Sequence, residues 1–542
     1  MIKISSKLTQ ALSKALSSLK FPSKEISLSP PNNSEFGDLS TSLALTLTKD
    51  LNQNPIEIAN MIVDNLKIPR DLIEEVTVTK PGFINFKISK KYYHEILNEI
   101  LNEKKYGSGN SGKEKRANVE FVSANPTGPL TIGHGRNAVL GDCIANILEW
   151  NGYSVTREYY YNDAGRQMRI LSQSVEARYF EQLGEKFLFP EDGYQGTYIK
   201  NIAQSVIDKY GNKLKKDDAR FLSEAEQSIF NDIKKSLSTL NIIFDEFVNE
   251  KTFYETGEID QLLAELKNKD LIYEKDGATW FKSTALGKEQ DRVYIKKTGE
   301  PTYRVPDTAY HKNKIDRGYD LIVDIFGADH MDTYPDVLLA LNALGISTDH
   351  IKVLLYQFVT LMRAGEKVKM STRKANFVTL DELVDEVGTD VVRYFFIMRG
   401  MNSHLNFDID LAKDQSEKNP VYYLQYAHAR ICNILKHADS KKELTDLDYD
   451  TNLLNHSCEI ELIKNLEKFP EIIKSVHNSL EPHIISTYLH ETANRFHKFY
   501  AECHVLTEDT NLSMARIALV KGTRIVINNG LEILGISAPE KM

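Results

Sequence analysis

Two stretches of this chain carry side chains suited to holding a row of phosphates. The first is Thr131-Ile132-Gly133-His134-Gly135, where glycines and an imidazole stand at the start of a helical pattern. Free backbone N–H groups, the positive end of the helix dipole and the His134 ring would converge there on one anion. The second runs from Gly365 to Asn376 and holds four cations, Lys367, Lys369, Arg373 and Lys374, behind a glycine. Such a loop suits a lid that meets charge developing on a leaving pyrophosphate and then moves away. A solvated basic loop is the plainer reading of the same run.

These residues need elements to position them. Val119 to Val122 reads as a strand that breaks at Asn125-Pro126-Thr127-Gly128-Pro129. Leu140, Ile144, Ile147 and Leu148 fall at helical spacing, Gly152 stops the helix, and Tyr153 to Tyr161 reads as the next strand. Strand, glycine-rich turn, helix and strand open a nucleotide-binding sheet. A second half follows the same plan. Leu321 to Phe326 is a strand ending in Gly327-Ala328-Asp329-His330, Pro335 to Leu344 a helix stopped by Gly345, and Val353 to Leu361 the next strand. Crossovers of this kind imply parallel strands with ligands at their carboxyl ends. Gly327 to His330 lies at such an end, as a ligand border or as a turn with an Asx cap. Asn162 to Gln167, directly after a strand, either orients a ligand or closes a turn.

The remaining chain divides around that sheet. Residues 1 to about 88 read as a small α+β unit, with strands at Glu25–Ser29 and Ile84–Ile88 and helices over Thr41–Leu51 and Ile56–Leu66. Leu8, Leu12, Ala15, Leu16 and Leu19 share one face of a leading helix, which fits better than a targeting segment. Tyr106 to Lys115 is a Gly/Ser/Lys linker. Ile170 to Lys296 is charged and helical with a hairpin near Trp280, an insertion between the two halves of the sheet. Thr379 opens a helix through a capping box with Glu382, Gly388 ends it, and Thr389 caps another reaching Arg399. From Pro420 onward the pattern is helical. A 542-residue chain suggests three or four domains. No run approaches the ~18 apolar residues of a membrane span. Four scattered cysteines without a C-x-x-C pair speak against structural zinc and a disulfide framework, so a reduced, cytoplasmic protein is expected. The net charge of −9 argues against a generally basic coat but leaves local RNA-binding patches open.

The wording VEFVSANPTGPLTIGHGRNAVLGD resembles the arginyl-tRNA synthetase form of the His-x-Gly-His signature of class I aminoacyl-tRNA synthetases. Lys369-Met370-Ser371-Thr372-Arg373 resembles the family's Lys-Met-Ser-Lys-Ser loop, and EFGDLSTSLALTLTK with PGFINFKIS resembles its additional N-terminal domain. VYYLQYAHARICNILK and GLEILGISAPEKM resemble its helical anticodon-binding domain. Two departures stand out: Thr131 replaces the first histidine, and Thr372 the second lysine. The resemblance implies ATP contacts from Thr131, Gly133, His134, Gly135, Gly327, His330 and Met370. It implies catalytic roles for His134, Lys369, Ser371 and Arg373, and an arginine pocket of Glu120, Ser123, Asn125, Tyr303, Asp307 and Asp329. Read without the family, Glu120 and Asp307 are two carboxylates on separate strand ends, more often salt-bridge partners than ligands.

The expected fold class is α/β: a Rossmann-like parallel-sheet catalytic domain (106–417, insertion about 170–296), a small α+β N-terminal domain (1–105) and an all-α C-terminal domain (418–542). The resemblance implies attachment of L-arginine to its tRNA through an adenylate, with ATP and Mg²⁺, no resident metal, no membrane and a monomeric enzyme. Tyr422, Tyr426, His428 and Arg430 would contact unpaired bases if exposed, and otherwise pack. A catalytically silent tRNA-binding paralogue, a related nucleotidyl transferase and a class I synthetase for another amino acid are the alternatives.

Overall fold

The computed structural model describes residues 2–163, 165–368, 378–441 and 448–542. The chain opens with helix α1 (Ile2–Ser18), strand β1 (Leu39–Thr41), helices α2 (Leu43–Leu51) and α3 (Pro55–Asp64), the strand pair β2 (Ile73–Thr79) and β3 (Phe83–Ile88), and α4 (Lys90–Asn102). β3 lies between β1 and β2 in an antiparallel sheet. Leu8, Leu12, Ala15 and Leu16 are buried as their spacing predicts. Glu25–Ser29 forms no strand. Ser29 makes a β-bridge to Ser40, and the strand paired along β3 opposite β1 is β2.

The expected linker is packed. Tyr106 is buried and stacks on Phe469, and Asn529 donates to the carbonyls of Lys104 and Tyr106. A Cβ on Gly107 would lie 2.6 Å from the Phe469 ring, and one on Gly112 would lie 1.9 Å from Tyr153. Glycine is needed here for close approach, whereas composition alone suggested flexibility.

The central sheet starts with β4 (Arg116–Glu120), α5 (Ile132–Trp150) and β5 (Ser154–Tyr161). Helices α6 (Gly165–Gln182), α7 (Thr197–Tyr210) and α8 (Arg220–Thr239) pack as a cluster, then β6 (Glu246–Asn249) pairs in parallel with β5. The span read as an insertion thus supplies an edge strand of the main sheet. After α9 (Glu250–Glu255) and α10 (Glu258–Asn268), strands β7 (Ile272–Lys275), β8 (Ala278–Phe281) and β9 (Arg292–Ile295) make a separate antiparallel sheet around Trp280. α11 (Arg304–Asp316), β10 (Leu321–Gly327), α12 (Tyr334–Ala343) and β11 (Ile351–Tyr356) complete the parallel sheet, ordered β11-β10-β4-β5-β6.

The strand expected over Val353–Leu361 is two strands in different sheets. β11 ends at Tyr356, and β12 (Val359–Arg363) pairs with β13 (Glu366–Lys367) and β14 (Leu405–Asp408). The break falls at Gln357, whose carbonyl is taken by the fully buried guanidinium of Arg136 on α5. Arg136 also donates to the carbonyls of Gly400 and Ser403. Between β13 and β14 lie α13 (Leu380–Val387) and α14 (Thr389–Ile397). Thr379 and Glu382 form the expected capping box. Thr389 lies inside α14, and Gly388, at φ +87°, takes the cap position because it leaves α13 and enters α14 in one residue.

α15 (Ile409–Lys413) leads to the helical unit of α16 (Pro420–Asp439), α17 (Ser457–Glu467), α18 (Phe469–Ser479), α19 (His483–Glu502) and α20 (Thr510–Ile533). Several side chains join it to the sheet, Arg393 among them. Arg393 on α14, fully buried, donates to the Leu534 carbonyl after α20, to the Leu240 carbonyl after α8 at 2.7 Å, and to Asp142 on α5. Gly535, at φ +64°, makes room for it, since a Cβ there would fall 2.0 Å from the guanidinium.

Candidate active site

A cavity of about 360 Å³ opens at the carboxyl ends of β4, β5, β10 and β11. β4 ends in strained backbone: Val122 (φ +65°) and Ser123 (φ +44°) are both left-handed, a conformation a β-branched residue rarely adopts. Asn137 on α5 holds the bend by accepting from the Val122 N–H at 2.9 Å. The bend turns the Ser123 hydroxyl back to donate to Glu120 at 2.9 Å and to accept from the Tyr160 N–H at 3.2 Å.

On the phosphate side, Thr131 is the N-cap of α5 and forms a reciprocal box with His134. The Thr131 hydroxyl accepts from the His134 N–H at 3.4 Å, and His134 Nδ1 accepts from the Thr131 N–H at 3.2 Å. Because Nδ1 accepts, the neutral ring carries its proton on Nε2. Burial lowers the His134 pKa, against a weaker opposing pull from Asp329, so the ring waits as a neutral donor. The departure at Thr131 thereby has a local reason: threonine is a strong helix cap. Gly133 has no close neighbour beyond Thr131. Gly135 does not face the cavity; a Cβ there would lie 2.5 Å from Leu380, so it lets α13 pack against α5. Gly327 ends β10, and a Cβ on it would strike Asp329. His330 stacks on Phe326 at 5.2 Å, and both Asp329 and His330 line the cavity.

The four expected residues Lys369, Met370, Ser371 and Arg373 lie outside the described residues, as does Ala164. The described residues on either side are tied down. Val368 donates to the Leu361 carbonyl, and Thr379 forms a β-bridge with Thr131 itself.

Opposite the phosphate side, α11 supplies a polar stripe. Asp307, Tyr310, His311 and Lys314 stand at i, i+3, i+4 and i+7, hence on one helix face. Asp307 is on the first turn of this helix, not on a strand end as the sequence suggested. Lys314, fully buried, bridges Glu120 and Asp324. Burial opposes its charge, but the two carboxylates outweigh burial and raise its pKa. His311 faces acceptors with both nitrogens, the Asp307 carbonyl at 2.8 Å and Asp324 at 3.1 Å. Burial opposes the charged ring, and Asp324 outweighs it and raises the His311 pKa.

The Lys314 ammonium, with His311 beside it, thus offsets Glu120 and Asp324. Glu120 lines the cavity, but Ser123 and Lys314 already engage both of its oxygens, the salt-bridge role that residue type alone suggests. Asp307 differs. Its carboxylate oxygens have no hydrogen-bond partner among the described residues, and burial, with Glu250 and Glu120 adding, pushes its pKa up to about 7. Glu250, the first residue of α9 beyond edge strand β6, reaches the same cavity and accepts from Tyr160 at 3.0 Å and Asn162 at 2.8 Å. Tyr160 stacks on Tyr310 at 4.2 Å, an aromatic wall beside these acids. Asn125 accepts from the Asn162 N–H and donates to Gln167, which ties both residues to the cavity rim. Tyr303 stands at the mouth, 56% exposed. What remains is a net acidic recess of planar acceptors and aromatic faces next to a helix start, suited to a guanidinium on one side and phosphate on the other.

Sequence reasoning missed Glu250, Tyr310, His311 and Lys314. The last three were open to it through their spacing from Asp307.

Comparison with known proteins agrees along the whole chain. Residues 95–394 match tRNA synthetases class I (R), catalytic domain, residues 3–88 the arginyl tRNA synthetase N terminal domain, and residues 424–542 the DALR anticodon binding domain. The arginine–tRNA ligase of Salinibacter ruber is 49% identical over 539 residues, covering 96% of each chain. That of Desulfotalea psychrophila is 48% identical over 518 residues, covering 94% of each. The solved Thermus thermophilus arginyl-tRNA synthetase shares the fold with a TM-score of 0.76 at 22% identity, covering 98% of this chain and 99% of its own.

Proposed function

The chain belongs to the arginyl-tRNA synthetase family, and on that premise we propose which residues perform each part of its reaction. The protein attaches arginine to tRNA and takes ATP as a substrate. In the proposed route the arginine carboxylate attacks the α-phosphorus of ATP in line, pyrophosphate leaves, and a terminal hydroxyl of the tRNA takes the acyl group from the adenylate. No covalent enzyme intermediate is required. The protein's work is positioning and electrostatic stabilisation.

Asp307 is the observation that carries the assignment of the arginine side: a half-buried carboxylate with no hydrogen-bond partner among the described residues, facing the cavity beside Glu250. It takes the guanidinium, with Glu250 as second acceptor and the Tyr160–Tyr310 stack as a wall. Ser123, Asn125, Tyr303 and Asp329 border the substrate, and Glu120 shapes the floor through Lys314. His134 donates from Nε2 to the phosphates at the α5 start, with Gly133, Gly327 and His330 bordering the nucleotide. Lys369, Met370, Ser371 and Arg373 serve the leaving pyrophosphate. Magnesium enters with the ATP phosphates as part of the substrate.

Residues 1–105 and 418–542 would hold the tRNA around the catalytic unit of 106–417. On α16, Tyr422 stacks on Tyr426 at 6.4 Å, and Arg430 lies 4.6 Å from the Tyr426 ring and 5.1 Å from that of Tyr500. This partly exposed face suits stacking on unpaired bases. His428 is buried and bonded to the Pro539 carbonyl, so it packs. No helix among the described residues is long and apolar enough to cross a membrane. The proposal includes a monomer acting in the cytoplasm, checked by sedimentation of the purified chain.

The deciding experiment offers each of the twenty amino acids separately, with ATP, Mg²⁺ and cognate total tRNA. Charging with arginine alone is expected; charging with another amino acid would overturn the Asp307 assignment.

The cap at Thr131 gives a further expectation. Thr131→Ala should lower stability by about 0.5–2 kcal/mol and slow adenylate formation as the His134 ring loses its fixed orientation. Thr131→Ser should restore both. Urea midpoints and aminoacylation rates check this. An unchanged rate in Thr131→Ala would mean that the box does not orient His134.

A further inference from the structure

Away from the cavity, three side chains with metal-ligating atoms meet on the helical unit. His456 caps the start of α17, Cys458 is the second residue of that helix, and Glu502 is the last residue of α19. One ligand atom from each lies within 4.8 Å of the others. The Cys458 thiol donates to the Glu502 carboxylate at 2.9 Å, and the His456 ring caps the helix, accepting from the Cys458 N–H at 3.3 Å. Neighbouring Glu459 is occupied, since Arg516 donates to it at 2.7 Å and the His456 N–H at 2.8 Å.

We propose that His456, Cys458 and Glu502 form a binding site for a divalent zinc-class cation. Thiolate, imidazole and carboxylate are the donors such an ion prefers over magnesium or calcium, and three protein ligands leave a fourth position for water. Around a tetrahedral ion with bonds of roughly 2.0–2.3 Å, neighbouring donors stand about 3.3–3.8 Å apart. The trio is already near that spacing. Cys458 is buried and fixed on its helix, whereas His456 and Glu502 are exposed and close by rotating their side chains. On binding, the thiol proton leaves to solvent and the metal–sulfur bond replaces the bond to Glu502.

One other trio among the described residues meets the same distance test, Glu120, His311 and Asp324, and the Lys314 ammonium already fills it. The imidazole beside Cys432, His428, is held by the Pro539 carbonyl. The proposed ion would tie together residues 44 positions apart in the chain. It would also stiffen α17, the helix whose Glu467 accepts from Tyr92 of α4 at 2.6 Å and whose Lys464 pairs with Asp38 at 2.6 Å. The ion therefore acts on the seat of the N-terminal unit, not on the catalytic cavity.

Cobalt(II) titrated into the full-length protein tests the proposal, because a thiolate–cobalt bond absorbs in the near ultraviolet and cobalt bound by imidazole or carboxylate alone does not. One equivalent should bring the band up, zinc should bleach it, and the melting temperature should rise. Cys458→Ser should abolish the band while retaining arginine charging, which shows that the variant folds. Glu502→Gln should weaken cobalt binding at least tenfold, and Cys432→Ser should leave it unchanged. No near-ultraviolet band at one equivalent, or a band that survives Cys458→Ser, overturns the proposal. Should Cys458→Ser fail to fold, unchanged cobalt affinity in Glu502→Gln overturns it equally.

Discussion

Asp307→Asn should lower kcat/KM for arginine by roughly 10²–10³-fold while leaving the KM for ATP within about threefold, because losing one partner of a desolvated ion pair costs about 2–5 kcal/mol. The substitution keeps size and shape and removes only the charge that a guanidinium requires. The same carboxyl makes arginine binding depend on pH. With its pKa near 7 in the empty cavity, Asp307 is largely neutral at pH 6 and must lose a proton as arginine enters. Affinity should rise about tenfold per unit below pH 7 and level off above it. Calorimetry in buffers of different ionisation enthalpy reads that proton directly. Stability should move the opposite way. A carboxyl raised from about 4 in the unfolded chain to about 7 in the fold contributes stability below pH 4 that is lost as pH rises through 7. Asp307→Asn escapes that loss, so its melting temperature should exceed the parent's at pH 8 and approach it at pH 5. Unaltered arginine kinetics, or a flat pH profile of affinity, would remove Asp307 from the pocket.

Lys314→Met should destabilise the protein by about 3–5 kcal/mol, the usual cost of stripping one partner from a buried ion pair. Here a single ammonium serves two carboxylates. In the parent, Asp324 is held well below its ordinary pKa, with burial opposed and outweighed by Lys314 and then His311. Its contribution is therefore present above about pH 4 and lost on acidification. Without the lysine, Glu120 and Asp324 lose the ammonium between them and their pKa values rise, so the variant should be relatively better at low pH. The deficit in urea midpoint should grow from pH 5 to pH 8, and Glu120→Gln on top of Lys314→Met should recover part of it. A small loss, equal at all pH values, would mean that solvent reaches the cluster and screens it.

The contrast between Glu120 and Asp307 also shows how far the sequence could be read. The start of α5 was legible because cap, glycines and apolar spacing all agree there, and the parallel sheet followed from the crossovers. Glu120 and Asp307 look alike as letters. Their difference arises from Lys314, which reaches Glu120 only because α11 lies across the sheet. The stripe on α11 was present in the spacing but hidden by reading Asp307 as a strand end. Glu250 was not legible, since its position depends on β6, a four-residue edge strand inside a charged helical stretch that reads as an insertion. The break between β11 and β12 has its cause more than two hundred residues away, in Arg136. The Tyr106–Lys115 stretch failed for a related reason: glycine marks freedom and close contact with the same letter.

Arg393 has a consequence for how this protein can be divided. Its guanidinium sits on α14, yet two of its bonds end on the carbonyl of Leu534, the residue that caps the final helix. A fragment ending near residue 417 would keep Asp142 and the Leu240 carbonyl on this buried cation but lose the Leu534 carbonyl that takes two of its N–H groups. Cutting the chain there therefore leaves a buried guanidinium with part of its hydrogen bonding unmet. Any exchange of the C-terminal unit for a foreign one, in the laboratory or in descent, has to bring along a glycine at position 535 and an open carbonyl beside it.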